Sequence, residues 1–271
     1  MLAITAPEIK SVAIRDGIRI PFVEQGAPDG VPVLFLHGYT DSLRSFEEVL
    51  PFLPPRIRAI APTQRGHGDA DRPLSGYGAA DLAADLASFM DALDIASAVI
   101  VGHSMGSHTA QRFAIDYPER VRGLVLAGSY ATAADNAGVA ELLNDVARLT
   151  DPVDPNFVRA FQESTAASPV SPAFLDMVIG ESRKLPAYVW QACAAALASD
   201  DHSARLAEIA VPVLVLWGDG DAFFPRAEQE RLLAALPDAR FTVYAGVGHA
   251  LQWEAPRRFA EDVMAYVESL R

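Results

Sequence analysis

The chain has 271 residues, of which 51% are hydrophobic and 21% are charged, and its formal net charge is −13. This length and composition are typical of a globular enzyme with a large buried core, in one α/β domain or in one domain with an insertion. The acidic balance argues against a nucleic acid or an anionic membrane as the partner. The single cysteine, Cys193, excludes an intrachain disulfide bond.

Residues 1–7 contain no basic region and no long apolar core, so we expect no signal peptide. No apolar stretch is long enough to span a bilayer, and we therefore expect a cytoplasmic protein that does not bind membranes. No spacing of His, Cys and Asp residues suggests a metal site. We expect no cofactor, and a monomer or a homodimer.

The N-terminal part predicts a hairpin followed by the first buried strand. Residues 9–15 and 18–24 alternate apolar and polar side chains around Asp16-Gly17, which indicates two antiparallel strands. The continuous apolar run at 32–36 is typical of a strand buried on both faces. Residues 42–52 predict a helix with Phe46, Val49 and Leu50 on one face.

Strands and helices then alternate, which predicts a parallel, doubly wound α/β sheet. The helix predicted at 79–93 buries Leu82, Leu86 and Phe89, whereas Asp85 lies off its core face. Further strands are predicted at 57–61, 99–101, 121–127, 213–217 and 240–244, and further helices at 225–236 and 256–270.

The pattern changes between residues 131 and 209, where no buried strand is predicted. Four helical segments separated by prolines occupy this region: 136–149, 155–165, 172–184 and 186–198. We interpret residues 131–209 as a helical cap inserted into a core made of residues 1–130 and 210–271.

The most informative motif is Gly102-His103-Ser104-Met105-Gly106, which lies between a buried strand and a helix. In that setting a Gly-x-Ser-x-Gly sequence is typical of a nucleophile elbow, a sharp turn that exposes the serine at a helix N-terminus. We expect the strand and the helix to crowd together at the two glycines. The alternative is an ordinary turn with a capping serine.

A serine nucleophile needs a base and a group that orients the base. Among six histidines, His249 lies in a late loop from which it can reach Ser104; the other five are interpreted as ordinary hydrogen-bonding residues. Asp219 and Asp221 both follow a buried strand and are both candidate acids. The backbone N–H groups of Met105 and Tyr39 are the expected oxyanion donors.

These motifs resemble those of the α/β-hydrolase fold family in its capped form, with anchors at His37-Gly38, Arg65-Gly66-His67-Gly68, the Ser104 pentapeptide, Gly218–Asp221 and Gly248-His249. The resemblance implies a mostly parallel eight-stranded sheet flanked by helices. It also implies that Asp221 rather than Asp219 is the acid. The chain departs from the family pattern at Thr63, where relatives carry Asp, and at Ala70, where they carry Ser.

The resemblance implies a serine hydrolase that cleaves a carboxylic ester or a lactone through an acyl-enzyme. The alternatives with the same triad are hydrolysis of a carbon–carbon bond and cofactor-free haloperoxidase chemistry, and a third is a hydrolase-like ligand receptor. Apolar side chains of the cap and the loops indicate a small apolar substrate. The pocket residues expected from the sequence are His103, Tyr130, Phe161, Trp190, Phe223 and Leu251.

Overall fold

A single eight-stranded sheet forms the centre of the computed structural model, which describes residues 8–270. The strands lie in the order β1-β2-β4-β3-β5-β6-β7-β8. Their bounds are β1 Ile9–Ala13, β2 Arg19–Gln25, β3 Val31–Leu36, β4 Ile57–Pro62, β5 Ala98–His103, β6 Val121–Ala127, β7 Val213–Gly218 and β8 Ala239–Tyr244. β2 is antiparallel to β1 and β4, and the pairs from β4 to β8 are parallel.

Helices flank both faces of this sheet. Their bounds are α1 Ala79–Ala92, α2 Met105–Asp116, α3 Ala137–Val146, α4 Pro155–Glu163, α5 Pro172–Ser182, α6 Ala187–Ser199, α7 Arg226–Ala235, α8 Leu251–Glu254 and α9 Pro256–Ser269. Within residues 8–270, none of the helices combines the length and the apolar character needed to cross a membrane. The segment 1–7, in which we expect no signal peptide, lies outside the described residues.

The continuous apolar runs of the sequence reflect burial on both sides of the sheet. Along β3, Leu34 and Leu36 pack into the core beneath α1 and α2, whereas Val33 and Phe35 pack into the core beneath α9. Successive side chains of a strand point to opposite faces, so a strand between two helical layers must be apolar at every position. The predicted hairpin and the doubly wound sheet are confirmed.

Two local predictions are wrong. Residues 42–52 form two 3₁₀ turns, Leu43–Phe46 and Leu50–Phe52, instead of one helix. Pro51 lies inside the second turn, and a proline cannot donate the hydrogen bond that an uninterrupted α-helix requires there.

The prediction that Asp85 lies off the buried face of α1 is also wrong. Its side chain is buried and pairs with two arginines. The Nε atom of Arg65 lies 2.5 Å from one carboxylate oxygen, and the Nε atom of Arg15 lies 2.7 Å from the other. Paired charges can be buried on a helix face that hydropathy alone assigns to solvent.

Helices α3 to α6 come between β6 and β7, at the place of the predicted cap. The bounds of α3, α4 and α5 lie within the predicted segments, and α6 ends one residue beyond its segment. They share an apolar cluster with Tyr39 and Met105 of the sheet domain. The cap therefore lies over the carboxyl ends of the strands, where sites in open α/β sheets are found.

Candidate active site

Ser104 lies at a strained turn between β5 and α2. Its backbone has φ 51° and ψ −119°, a conformation that costs a non-glycine residue about 1–3 kcal/mol. The Ser104 N–H donates to the carbonyl of Ala127 at 2.9 Å, which fixes the turn to β6. The first helical residue, Met105, follows directly, so the Ser104 side chain lies at the positive end of the α2 dipole.

The two glycines of the motif allow close backbone approaches, but to different neighbours. A Cβ at Gly102 would lie 2.4 Å from the carbonyl oxygen of Gly106, which is the expected crowding of strand and helix. A Cβ at Gly106 would instead lie 2.3 Å from the carbonyl oxygen of Leu36, at the end of β3. The second glycine therefore lets α2 begin against the neighbouring strand, and any side chain there would displace it.

His249 and Asp221 form a buried pair beside Ser104. The Nδ1 atom of His249 lies 2.9 Å from Oδ2 of Asp221. Because a carboxylate can only accept, Nδ1 carries the proton and Nε2 is left as the basic nitrogen. Both residues follow carboxyl ends of strands, Asp221 after β7 and His249 after β8.

Three donors hold the Asp221 carboxylate, of which the His249 imidazole is one. Its second oxygen accepts from the N–H groups of Phe223 at 2.8 Å and Phe224 at 3.1 Å. Burial alone would raise the pKa of Asp221, but the charge and the hydrogen bond of His249 and the two backbone donors outweigh it and lower the pKa. Asp219, the other candidate, accepts from Gly246 N instead and does not contact the imidazole.

Ser104 and His249 line the same open cavity, whose volume is about 480 Å³ with the solvent at its mouth included. Within residues 8–270 no hydrogen bond joins the Ser104 hydroxyl to the His249 imidazole. Such contacts are often long in the absence of substrate and tighten when the substrate binds.

The two expected oxyanion donors lie beside this cavity. Tyr39 lines it with Ser104, and its hydroxyl donates to the carbonyl of Trp190 at 2.7 Å, which ties the loop after β3 to the cap. In the described part of the chain, neither the Tyr39 N–H nor the Met105 N–H donates to a backbone acceptor. Both groups are therefore free to bind an oxyanion.

The cavity wall contains part of the expected pocket. His103, Phe161 and Phe223 line it, whereas Tyr130, Trp190 and Leu251 are fully buried behind it. Tyr130 stacks on Phe224, and Trp190 packs edge-on against Tyr39. Lining residues outside the expected pocket set are Gly38, Asp41, Val139, Leu142, Gln162, Thr165, Leu197, Phe224 and Trp253.

Three of these residues, Asp41, Gln162 and Thr165, are polar and buried, and the first two contact each other at 3.2 Å. Asp41 is 3% exposed and Gln162 is 1% exposed. Asp41 follows the His37-Gly38 motif by three residues, which is the one sequence signal that could have indicated it. Gln162 lies on α4 of the cap, and its position in the sequence carries no comparable signal.

The departures at Thr63 and Ala70 leave the loop behind the site well bonded. The Thr63 hydroxyl accepts from the N–H of Leu43 at 3.0 Å, and Ala70 is buried in the apolar core. The next residue, Gln64, donates from its backbone N–H to His37 Nε2 and from its side chain to the His37 carbonyl, each at 2.9 Å.

Glu254 joins the His249 loop to the cap. One carboxylate oxygen accepts from Gly248 N at 2.8 Å, and the other accepts from the N–H groups of Ala167 at 3.1 Å and Ser168 at 2.6 Å. The Ser168 hydroxyl donates to the same oxygen at 2.7 Å. A single, partly buried carboxylate thus joins the His249 loop to the cap.

Comparison with known proteins agrees with this architecture. A family model described as "alpha/beta hydrolase fold" matches residues 31–256. The chain is 32% identical to a 2-hydroxy-6-oxononadienedioate/2-hydroxy-6-oxononatrienedioate hydrolase from Burkholderia vietnamiensis, covering 94% of this chain and 93% of that protein. It is 30% identical to a non-heme chloroperoxidase from Streptomyces lividans, covering 96% and 99%. Among solved structures, an esterase from Rhodococcus sp. ECU1013 is 26% identical with a TM-score of 0.84, covering 97% and 99%. The chain belongs to the alpha/beta hydrolase fold family.

Proposed function

We propose that this protein hydrolyses a neutral carboxylic ester or lactone through a Ser104–His249–Asp221 triad. The observation that carries the proposal is the 2.9 Å contact between His249 Nδ1 and Asp221, at a cavity that the strained Ser104 also lines. In the neutral imidazole this contact places the proton on Nδ1, so that Nε2 offers the lone pair that a general base requires.

The proposed reaction has two steps. His249 Nε2 takes the Ser104 proton while the hydroxyl oxygen bonds to the substrate carbonyl carbon, and the N–H groups of Tyr39 and Met105 bind the resulting oxyanion. His249 then gives its proton to the leaving alcohol oxygen as the ester bond breaks. Water attacks the acyl-enzyme with His249 again as the base, which releases the acid and restores Ser104.

The cavity lining supports a neutral substrate. Phe161, Phe223 and Leu142 are typical of its apolar wall, and no Lys or Arg is found among the lining residues of the described chain. The hydrolase relative from B. vietnamiensis is named for a dioate, and the described lining offers no cationic side chain to pair with its two carboxylates. We therefore favour an ester or a lactone over carbon–carbon bond hydrolysis of such an acid.

A covalent probe tests the proposal directly. A fluorophosphonate should label the protein once, at Ser104, and labelling should abolish hydrolysis of p-nitrophenyl butyrate. Ser104→Ala should lose both labelling and hydrolysis, whereas Ser107→Ala, a serine three residues further on, should retain labelling. Labelling at another residue, or full activity of Ser104→Ala, would refute the assignment.

The names of two relatives suggest alternative activities that the same protein should be assayed for. Purified protein should be assayed with the p-nitrophenyl ester, with a dienone acid and with a halide and peroxide. Faster turnover of the dienone acid would assign carbon–carbon hydrolysis, as the name of one relative suggests. Halogenation without ester hydrolysis would assign haloperoxidase activity, for which the relative from Streptomyces lividans is named.

A further inference from the structure

One end of the cavity carries polar groups that the triad does not use. Asp41, His103 and Gln162 all line it, and each is at least nine-tenths buried. Much of the remaining lining is apolar and includes Val139, Leu142 and Leu197. Buried polar atoms are normally hydrogen-bonded, so unpartnered ones beside a cavity indicate what the cavity binds.

Gln162 has one amide atom bonded and one free. Its Nε2 donates to Ser182 Oγ at 2.7 Å, to Thr40 Oγ1 at 3.0 Å and to Asp41 Oδ1 at 3.2 Å. Ser182 donates its own proton to the Val178 carbonyl, so it must accept from Gln162, which fixes the orientation of the amide. Oε1 of Gln162 is then left without a partner within residues 8–270.

His103 also leaves one acceptor free. Its Nε2 lies 3.0 Å from the His249 carbonyl oxygen and therefore carries the proton, so Nδ1 has a lone pair. In the described chain that Nδ1 has no hydrogen-bond partner, and Oδ2 of Asp41 is 4.0 Å away. Both unpartnered atoms are acceptors, and the carboxyl group of Asp41 lies next to each of them.

We propose that Asp41, His103 and Gln162 form a subsite that binds a hydrogen-bond donor, a hydroxyl or an amide N–H, on the acyl part of the substrate. The proposal rests on the ester hydrolysis proposed above and specifies its substrate class. Asp41 follows the oxyanion residue Tyr39 by two positions, so the donor lies close to the reacting carbonyl. A substrate carboxylate is disfavoured, because no Lys or Arg of the described chain lines the cavity.

The wild-type enzyme tests this with matched esters. The hydroxyl pair is p-nitrophenyl 3-hydroxybutyrate and p-nitrophenyl 3-methylbutyrate, and the amide pair is p-nitrophenyl N-acetylglycinate and p-nitrophenyl 4-oxopentanoate. Each kcat/KM is divided by the hydroxide rate constant of the same ester. We expect at least one donor-bearing ester to be preferred about tenfold, since a site built for a hydrogen bond rejects the analogue that lacks it. The pair with the larger preference identifies the donor.

Two variants connect the preference to the subsite. Gln162→Met and Asp41→Asn should each reduce the preference ratio at least threefold. Gln191→Met is the matched control, because Gln191 lies in the same cap and donates to Val146 and Leu149 without lining the cavity. Its ratio should equal that of the wild type.

The outcomes separate this proposal from the hydrolase function. Hydrolysis of both members of each pair with a wild-type ratio near one overturns the subsite and leaves the ester hydrolase intact. An unchanged ratio in folded Gln162→Met and Asp41→Asn overturns the subsite in the same way. Failure to hydrolyse any ester, together with absence of fluorophosphonate labelling at Ser104, overturns both.

Discussion

The imidazole of His103 donates a hydrogen bond to the backbone carbonyl of His249 at 3.0 Å. The residue before Ser104 thereby anchors the loop that carries His249. The two rings lie 4.9 Å apart, and burial together with the charge of His249 lowers the pKa of His103 to about 3. His103 is therefore neutral over the working pH range and acts as a fixed donor.

We expect His103→Ala to lower kcat about tenfold for p-nitrophenyl 3-methylbutyrate, which lacks a hydrogen-bond donor. The His249 loop loses its anchor, and small errors in the position of a base are costly to the rate. Steady-state kinetics measure the effect, and His202→Ala, a buried histidine bonded to Gln111 instead, is the control. Equal kcat values in His103→Ala and the wild type would contradict the anchoring role.

The strained backbone of Ser104 predicts that a glycine at this position stabilises the protein while abolishing its activity. Ser104→Gly and Ser104→Ala should both be inactive, but Ser104→Gly should be more stable by about 1 kcal/mol, because glycine adopts positive φ without the clash of a Cβ atom. This corresponds to roughly 2–4 °C in Tm for a chain of this size. Thermal unfolding of the two inactive proteins, followed by circular dichroism, tests it; equal Tm values would contradict the strain.

Asp221 and Asp219 lie two residues apart on one loop and offer a matched comparison. Asp221→Asn should lower kcat by about 10³–10⁴, because an amide no longer favours the Nδ1–H tautomer of His249. Asp219→Asn should stay within about fivefold of the wild type, since its carboxylate bonds to Gly246 N and not to the imidazole. Similar losses in the two variants would contradict the assignment of Asp221.

Asp41 predicts a specific dependence of stability on pH. Burial raises the pKa of Asp41 to about 7, against opposing hydrogen bonds from Gln162 and Ser45. Between about pH 4 and pH 7 the native state keeps a proton that the unfolded state has released, so this group lowers the free energy of unfolding as pH rises.

Asp41→Asn removes that contribution. The variant should gain stability over the wild type progressively from about pH 4 to pH 7, by roughly 2–4 kcal/mol in total, and the difference should be constant above pH 8. Urea denaturation of both proteins at several pH values measures the difference in their free energies of unfolding. The contributions of the other titrating groups are common to both proteins and cancel in this difference. A difference that does not vary with pH would contradict the raised pKa.

Glu254 predicts coupling between the cap and the His249 loop. Glu254→Gln places an amide donor against some of the N–H groups of Gly248, Ala167 and Ser168, so the contact should loosen. We expect kcat to fall about tenfold and proteolytic cleavage near residues 164–170 to accelerate. Glu268→Gln, which alters an exposed pair with Arg56, is the control and should change neither. Unchanged cleavage in Glu254→Gln would contradict the coupling.

The sequence predicted those features of the fold that follow from local patterns. Runs such as 32–36 and 213–217 are apolar at every position because both faces of each strand are buried, and the Ser104 motif marks the turn that follows one of them. It did not predict the pairing of Asp85 with two arginines, because the partners come from positions 15 and 65, far away in the chain.

For the site, the sequence determined which residues follow the carboxyl ends of strands, and so which side chains could meet: Ser104, Asp221 and His249. Local patterns left Asp219 and Asp221 both open, and the family resemblance favoured Asp221. Only the tertiary structure placed Asp221 against the imidazole, and Asp41 and Gln162 at the cavity with Tyr130 and Trp190 behind it. Because the strands are parallel, the residues that follow them lie at the same edge of the sheet. The orientation of each side chain there depends on loop conformation and on the cap packed above, and neither is encoded in local periodicity.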